Sequence, residues 1–214
     1  MKAIIYTGLS VSFDEAKEIL DENVIYKPPI KRGDIGDALK ENPDIIGIID
    51  GVFHQSPAVA HKEILNAIDA GVKVIGSSSM GALRASELDV LGMVGIGYVY
   101  EQYRDGEITS DDDVAVMLDQ ETLEPLSVPL VNMKYVFTKA QEENVIIANE
   151  KEELLQIAKE IFYPKRIYSA VLNESSLNDD KKNKLIDFIA ISKDIKKEDG
   201  KKLIKYVKEL META

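Results

Sequence analysis

Cysteine is absent from this chain of 214 residues, which excludes disulfide bonds, thiolate zinc sites and a cysteine nucleophile. Histidine is scarce, with only His54 and His61. Neither has the carboxylate spacing of a metal site. We therefore expect neither a metal nor another cofactor.

Long apolar runs are also absent. No stretch approaches the roughly 18 residues that read as a membrane-spanning helix, and Met1–Ile5 lacks the apolar region and cleavage site of a signal peptide. These absences lead us to expect a cytoplasmic protein. The chain is long enough for one substantial domain, or a domain with an appendage, to bury its own core.

The charge of the chain is unevenly distributed. The formal net charge of −12 argues against a duplex nucleic-acid partner, because such binding needs concentrated Lys and Arg. Residues 149–214 carry 14 basic and 13 acidic side chains, so the acidity belongs to residues 1–148, with 12 basic and 25 acidic. A negative field there could steer a basic protein partner.

Glycine follows the same division, since 12 of the 13 glycines lie at or before Gly106. Glycine is common in tight turns, and such turns are concentrated where strands alternate with helices. The apolar patterns predict strands at residues 2–6, 44–50 and 72–75 and helices at 13–20, 57–70 and 80–91. This order predicts an α/β fold, a parallel β-sheet core with flanking helices and right-handed crossovers.

Beyond Gly106 the pattern changes. Segments 114–118 and 126–131 could pair as an antiparallel extension of the sheet. Four further helices are predicted at residues 132–145, 150–161, 178–191 and 196–212. We therefore predict an α/β core over residues 1–130, which carries the site, and an α-helical C-terminal extension over residues 131–214.

The segment Ser77-Ser78-Ser79-Met80-Gly81 joins a predicted strand to a predicted helix. Ligands bind at this edge of open α/β sheets, where a helix N-terminus also presents unpaired N–H groups. The segment fits small-x-Ser-x-Gly, the pattern of a nucleophile elbow. Ser79 is the predicted nucleophile. Ser78 is the rival and fits the pattern less well, because with Ser78 as the nucleophile Met80 would fill a position that needs a small side chain. Serines here can also be helix caps alone.

A serine nucleophile needs a base within hydrogen-bond reach. Lys62 is a candidate, since it borders the apolar stripe of the preceding helix and burial can lower the pKa of a lysine. It could instead be an exposed lysine with an apolar stem along the surface. His54 and His61 are the other possible bases, and either could be a packing or capping residue.

Backbone N–H groups at Met80 and Gly51 could stabilise an oxyanion. Gly51 could equally belong to a simple turn with no binding role. Arg84, one helical turn after the elbow, could bind a carboxylate or pair with Glu87. Asp111–Asp113 is more typical of a helix cap than of a magnesium site. The candidate binding residues are thus Gly51, Met80, Asp50, His61 and Arg84.

Several segments occur in an order that resembles the TfuA-like family. They are Asp50–Phe53, Ala58–Leu65, Gly71–Gly76, Ser78–Ala85, Gly92–Gly97 and Asp112–Val116, preceded by Pro28-Pro29-Ile30 and Arg32-Gly33-Asp34. The resemblance spans about residues 26–135 and is closest to the archaeal type. Ser77 departs from it, because the family pattern has alanine there.

The resemblance implies a partner of YcaO enzymes, which activate a peptide amide with ATP so that sulfur replaces its oxygen. The family's Ser-Lys pair would fall on Ser79, or Ser78, and on Lys62. It implies hydrolysis of a thiocarboxylated ubiquitin-like sulfur carrier, which releases sulfide for thioglycine formation. The implied substrate in archaeal methanogenesis is the methyl-coenzyme M reductase alpha subunit. The alternative is a non-catalytic adaptor that docks carrier and peptide onto the YcaO enzyme.

Overall fold

The computed structural model describes residues 1–52, 56–119 and 125–213. The chain forms two compact units. The first contains Met1–Thr109 and the helix from Ile195 onward, and the second contains Ser110–Asp194. Within the described ranges, no helix has the length and apolar character needed to cross a membrane.

The first unit is built on a parallel sheet of five strands in the order β2-β1-β3-β4-β5. The strands are β1 (Ala3–Tyr6), β2 (Val24–Lys27), β3 (Ile45–Ile48), β4 (Lys73–Ser77) and β5 (Val94–Ile96). The predicted parallel α/β core is confirmed. The chain adds strands first on one side of β1 and then on the other, so the β1–β3 boundary is the switch point where such sheets bind ligands.

Five helices follow the strands of this unit. They are α1 (Phe13–Ile19), α2 (Asp34–Leu39), α3 (His61–Asp69), α4 (Met80–Leu88) and α5 (Tyr98–Arg104). Side chains alternate along each strand, so Ile4 and Tyr6 share a core with α2, α3 and α4. Ala3 and Ile5 face the opposite way and share a core with α1.

Helix α3 begins at His61, four residues later than the predicted start at Pro57. The Pro57 carbonyl accepts the N–H of Arg32 (3.0 Å), which holds this segment in a loop. The carboxylate of Glu63 accepts the Ala60 N–H (3.2 Å) and so caps the helix at the observed position.

The second unit consists mainly of helices α6 (Leu130–Glu142), α7 (Ala148–Glu160), α8 (Tyr168–Glu174) and α9 (Asp179–Ile191). Its core includes Phe137, Leu154 and Leu185. The predicted antiparallel extension at 114–118 and 126–131 is wrong. Only an isolated bridge forms between Leu118 and Pro125 in the described part of these segments, because α6 already begins at Leu130.

The last helix, α10 (Ile195–Glu212), belongs to the first unit. Its stripe of Leu203, Ile204 and Val207 is fully buried, in one core with Ile5 of the sheet. The prediction grouped this helix with the C-terminal extension, because its spacing gives amphipathic character without saying which surface it covers.

Candidate active site

Strand β4 passes into α4 through a tight turn centred on Ser78. The Ser79 N–H donates to the Ser77 carbonyl (2.9 Å), which closes a γ-turn, and Ser78 at its centre has a φ of +66°. A γ-turn with positive φ is rare and strained for a residue that carries a side chain. The predicted strand–turn–helix elbow is therefore present, and Ser78 occupies its apex.

The elbow closes because two glycines let backbone meet backbone. A Cβ on Gly81 would lie 1.7 Å from the Ile48 carbonyl oxygen, and a Cβ on Gly76 would lie 2.1 Å from the Gly81 oxygen. The sequence pattern places Ser77 and Gly81 at the two positions that must be small. In the structure the residue that contacts Gly81 is Gly76, not Ser77. Met80 is accommodated because it packs against a glycine, Gly51, so its size does not exclude Ser78 as the nucleophile.

The three serine hydroxyls of the elbow have different partners. Ser77 donates to the Asp199 carbonyl (2.8 Å), and Ser78 donates to the Ser10 hydroxyl (2.8 Å). Within the described residues Ser79 makes no side-chain cap bond. Ser79 itself is buried, with a relative exposure of 3%.

Asp50 is buried two residues after β3, and its carboxylate accepts four hydrogen bonds from described residues. Its Oδ2 accepts the backbone N–H groups of Gly8 (3.1 Å), Leu9 (3.0 Å) and Ser10 (2.8 Å). Its Oδ1 accepts the Ser10 hydroxyl (2.6 Å). Successive backbone N–H groups of this kind form an anion-binding concavity, and here the protein's own carboxylate occupies it.

Ser10 is absent from the residues that the sequence predicted. It lies in the loop after β1, and the loops after β1 and β3 leave the same edge of the sheet because these strands are parallel neighbours. The order of strands was the signal that could have identified it. That order was hidden because β2 was not predicted, so the neighbour of β1 was unknown.

Asp199 of α10 supports the elbow from the other face of the sheet. Its carbonyl accepts the Ser77 hydroxyl, and its fully buried carboxylate accepts the Val99 N–H (2.8 Å) and the Lys202 amine (2.9 Å). Burial raises the pKa of Asp199, and the bond from Val99 opposes that rise. This residue too was missed, since nothing in its local sequence points to the elbow.

Lys62 lies on the first turn of α3 and its side chain is exposed. In the described part of the chain no hydrogen bond or ion pair joins its amine to Ser78 or Ser79. The structure therefore does not form the predicted contact between the Ser79 hydroxyl and this amine. The Ser78 hydroxyl already has an acceptor in Ser10.

His61 and Arg84 meet at Glu87 on the outer surface of α3 and α4. The Nε2 of His61 lies 2.7 Å from Oε2 of Glu87, and Arg84 donates to the same oxygen (2.6 Å). Arg84 also donates from Nε to the Val59 carbonyl (3.1 Å). Of the two open interpretations for Arg84, the structure shows the pairing with Glu87. His54 lies outside the described residues.

Gly51 and Met80 lie against each other, since a Cβ on Gly51 would be 2.6 Å from the Met80 Cβ. Among the described residues neither N–H has an acceptor. The Met80 N–H is also the first of α4, where the helix dipole favours negative charge. The predicted oxyanion donors are therefore neighbours, and neither N–H is already bonded within the described residues.

Asp111–Asp113 forms a short 3₁₀ turn in the second unit. Ser110 accepts the Asp112 N–H (3.2 Å), and the Asp113 carboxylate accepts the Ser110 N–H (2.9 Å). These contacts match the capping interpretation. Across the described ranges, no three Asp, Glu or His side chains gather as metal ligands.

The fold and the elbow together define a doubly wound α/β protein with a strained serine beside its switch point. Residues 50–167 match the family model described as TfuA-like protein, which covers more than half of the chain. The chain belongs to this family, which is generally associated with YcaO-dependent thioamidation and a YcaO partner. The resemblance seen in the sequence is confirmed. A search of the curated proteins gave no match. Ser10 and Asp199 lie outside the matched residues.

Proposed function

We propose that this protein delivers sulfide to a YcaO enzyme by hydrolysing the thiocarboxylate of a ubiquitin-like sulfur carrier. The elbow carries the proposal, because its strained serine stands between a hydrogen-bonded carboxylate and the N-terminus of α4. A serine, an acid–base partner and oxyanion donors are the groups that acyl transfer requires.

The carrier's C-terminal thiocarboxylate is an acyl compound whose carbon a serine oxygen can attack. The N–H groups of Met80 and Gly51 would hold the oxygen that becomes negative, and hydrosulfide would leave as an acyl-serine forms. Water then hydrolyses the acyl-serine and returns the carrier as a carboxylate. The YcaO enzyme would use the sulfide on a peptide glycine, and we propose the methyl-coenzyme M reductase alpha subunit as the substrate to test first.

Two groups are candidates for the base. Lys62 comes from the family's Ser-Lys pattern, and Asp50 reaches Ser78 through Ser10. Lys62→Ala and Lys62→Arg separate them. If Lys62 is the base, both variants should fail, because a guanidinium stays protonated. If Lys62 contributes only charge, Arg should substitute for it.

Sulfide release from a purified thiocarboxylated carrier tests the function directly. The expected result is stoichiometric sulfide and a carboxylated carrier, with the already carboxylated carrier as the matched control. A protein that binds the thiocarboxylated carrier but releases no sulfide above the uncatalysed rate would contradict the hydrolase and favour the adaptor.

A further inference from the structure

We infer that Asp199 and Gly200 of α10, here called the α10 anchor, are positioning residues that hold the elbow in its strained conformation. The C-terminal helix thereby takes part in sulfide release, although the anchor itself does not touch the reacting atoms. The inference rests on the proposed hydrolysis and deepens it, and it holds whichever serine of the elbow is the nucleophile. The anchor lies outside the residues 50–167 that match the family model.

Both residues of the α10 anchor are unfavourable in the interior of a helix. Aspartate and glycine are among the poorer helix formers, and Gly200 is the one glycine that follows Gly106 in the sequence. Asp199 is also fully buried, with a relative exposure of 0%, and burial of a carboxylate is costly unless it has partners. The contacts of the two residues, not the helix itself, must therefore account for them.

Gly200 lets α10 approach the carboxyl edge of the sheet closely. A Cβ at this position would lie 2.7 Å from Cγ2 of Val11 and 3.2 Å from Cγ2 of Ile49. Val11 belongs to the loop after β1, and Ile49 directly follows β3. A larger side chain would push the helix away from both segments. The backbone of α10 is therefore seated against the loops that leave the two central strands.

The Asp199 carboxylate ties the same point of α10 to the start of α5. It accepts the backbone N–H of Val99 (2.8 Å) and the amine of Lys202 (2.9 Å). Gly97 leaves the space for this carboxylate, because a Cβ there would lie 2.3 Å from the Asp199 Cγ. Buried charge-assisted hydrogen bonds of this kind are strong and geometrically demanding, so they fix where the helix sits along the sheet.

The Asp199 carbonyl is thereby placed behind the elbow, where it accepts the Ser77 hydroxyl (2.8 Å). Ser77 is fully buried, and its own carbonyl accepts the Ser79 N–H (2.9 Å), the bond that closes the γ-turn. The residue that begins the turn is thus held by α10 on one side and by the turn on the other. Strained turns persist only where their surroundings fix them. Since the family pattern has alanine at Ser77, this hold is an addition in this chain.

Ser77→Ala removes the hydroxyl that reaches the α10 anchor and leaves the rest of the elbow in place. We expect kcat for sulfide release to fall by about 3- to 10-fold, the scale of one buried hydrogen bond between neutral groups. KM for the carrier should stay within about twofold. The matched control is Ser175→Ala in the second unit, which removes a buried serine hydroxyl that donates to the Leu172 carbonyl (2.8 Å) and should leave kcat unchanged.

Asp199→Asn keeps the size of the side chain but removes the charge that Val99 and Lys202 share. It should lower kcat at least as much as Ser77→Ala. The double variant should be little worse than Asp199→Asn alone, because both changes act through one hydrogen bond. If Asp199→Asn fails to fold, Ser77→Ala carries the test.

Leu203→Ala on the same helix separates positioning from stability. This apolar side chain is fully buried but cannot hydrogen-bond to the elbow. Leu203→Ala should therefore lower the melting temperature more than Ser77→Ala does and yet change kcat less, when both are assayed well below their melting temperatures. A purely structural role of the α10 anchor would give the reverse order, with kcat following stability.

Hydrogen exchange of the Ser79 N–H, followed by NMR without substrate, reports on the elbow directly. We expect it to be about 3- to 10-fold faster in Ser77→Ala, because local opening loses one hydrogen bond of resistance, and unchanged in Ser175→Ala. Wild-type kcat or wild-type exchange in Ser77→Ala would overturn the inference. Faster exchange in Ser77→Ala, together with a wild-type protein that releases no sulfide from the carrier, would overturn the proposed function instead.

Discussion

The two faces of the sheet contribute differently to the elbow. On the face of α3 and α4, the residues that seemed suited to chemistry form an ion cluster of His61, Arg84 and Glu87. His61 and Glu87 are exposed there, Arg84 is partly buried, and Lys62 is exposed beside them. The elements of the other face supply the partners that the elbow hydroxyls bind. Ser10 leads into α1 and Asp199 lies on α10.

The ion cluster and the hydrogen bonds of the elbow hydroxyls differ in burial. An exposed ion pair contributes about 0–1 kcal/mol to stability and is screened by salt. A buried polar group that loses its partner costs about 1–3 kcal/mol, so buried hydrogen bonds hold a site in one geometry. The elbow is therefore positioned by segments distant in sequence, while the nearest charged residues stabilise the surface.

The contact of α4 with β3 should be the least tolerant to change. Gly81→Ala would place a Cβ 1.7 Å from the Ile48 oxygen, where both neighbours are backbone. We expect a loss of at least about 3 kcal/mol, the upper range for overpacking, measured by urea unfolding. The matched control is Gly36→Ala on α2, where no atom lies within 4 Å of the added Cβ. That change should stabilise by up to about 1 kcal/mol. A well-folded Gly81→Ala variant would contradict the close contact.

The opposite face depends on α10. Leu203 is fully buried against the sheet, so Leu203→Ala should cost about 2–5 kcal/mol in the free energy of unfolding. Ile186→Ala on α9 is the control, because that side chain is 49% exposed and should cost less than about 0.5 kcal/mol. A loss below about 1 kcal/mol at Leu203 would mean that α10 is a dispensable extension.

The smallest effect is expected from removing the ion pairs between α1 and α10. Glu15 accepts from Lys197 (2.6 Å) and lies 3.4 Å from Lys201. The hydrogen bond from Lys197 lowers the pKa of Glu15 from 4.5 to about 2. A lowered carboxyl pKa stabilises the fold above the unfolded value, and that contribution is lost as pH falls from 4.5 toward 2.

Glu15→Gln should therefore reduce stability at pH 7 by about 0.5–1 kcal/mol, since the pair is partly exposed, and should make stability less sensitive to acid. Urea unfolding at pH 7 and at about pH 3 measures both effects. Glu18→Gln, an exposed neighbour on α1, should change neither. Equal acid sensitivity in Glu15→Gln and wild type would contradict the assigned pair.

The sequence predicted the parts of this protein that local patterns determine. Strands β1 and β3 are apolar throughout, β4 has an apolar centre at Val74 and Ile75, and the serines between Gly76 and Gly81 were recognisable as an elbow. Strands β2 and β5 were missed because one is a half-buried edge strand and the other has three residues. The partners of the elbow could not be predicted, because Ser10 and Asp199 reach it only through the order of strands and the docking of α10.

The most direct test of the central claim is the intact mass of protein and carrier in a rapidly quenched single turnover. The account predicts a covalent adduct of protein and carrier, formed together with one equivalent of sulfide and absent from Ser78→Gly. Sulfide release by wild type without any adduct, or an adduct that persists in Ser78→Gly, would contradict an acyl-serine at the apex of the elbow.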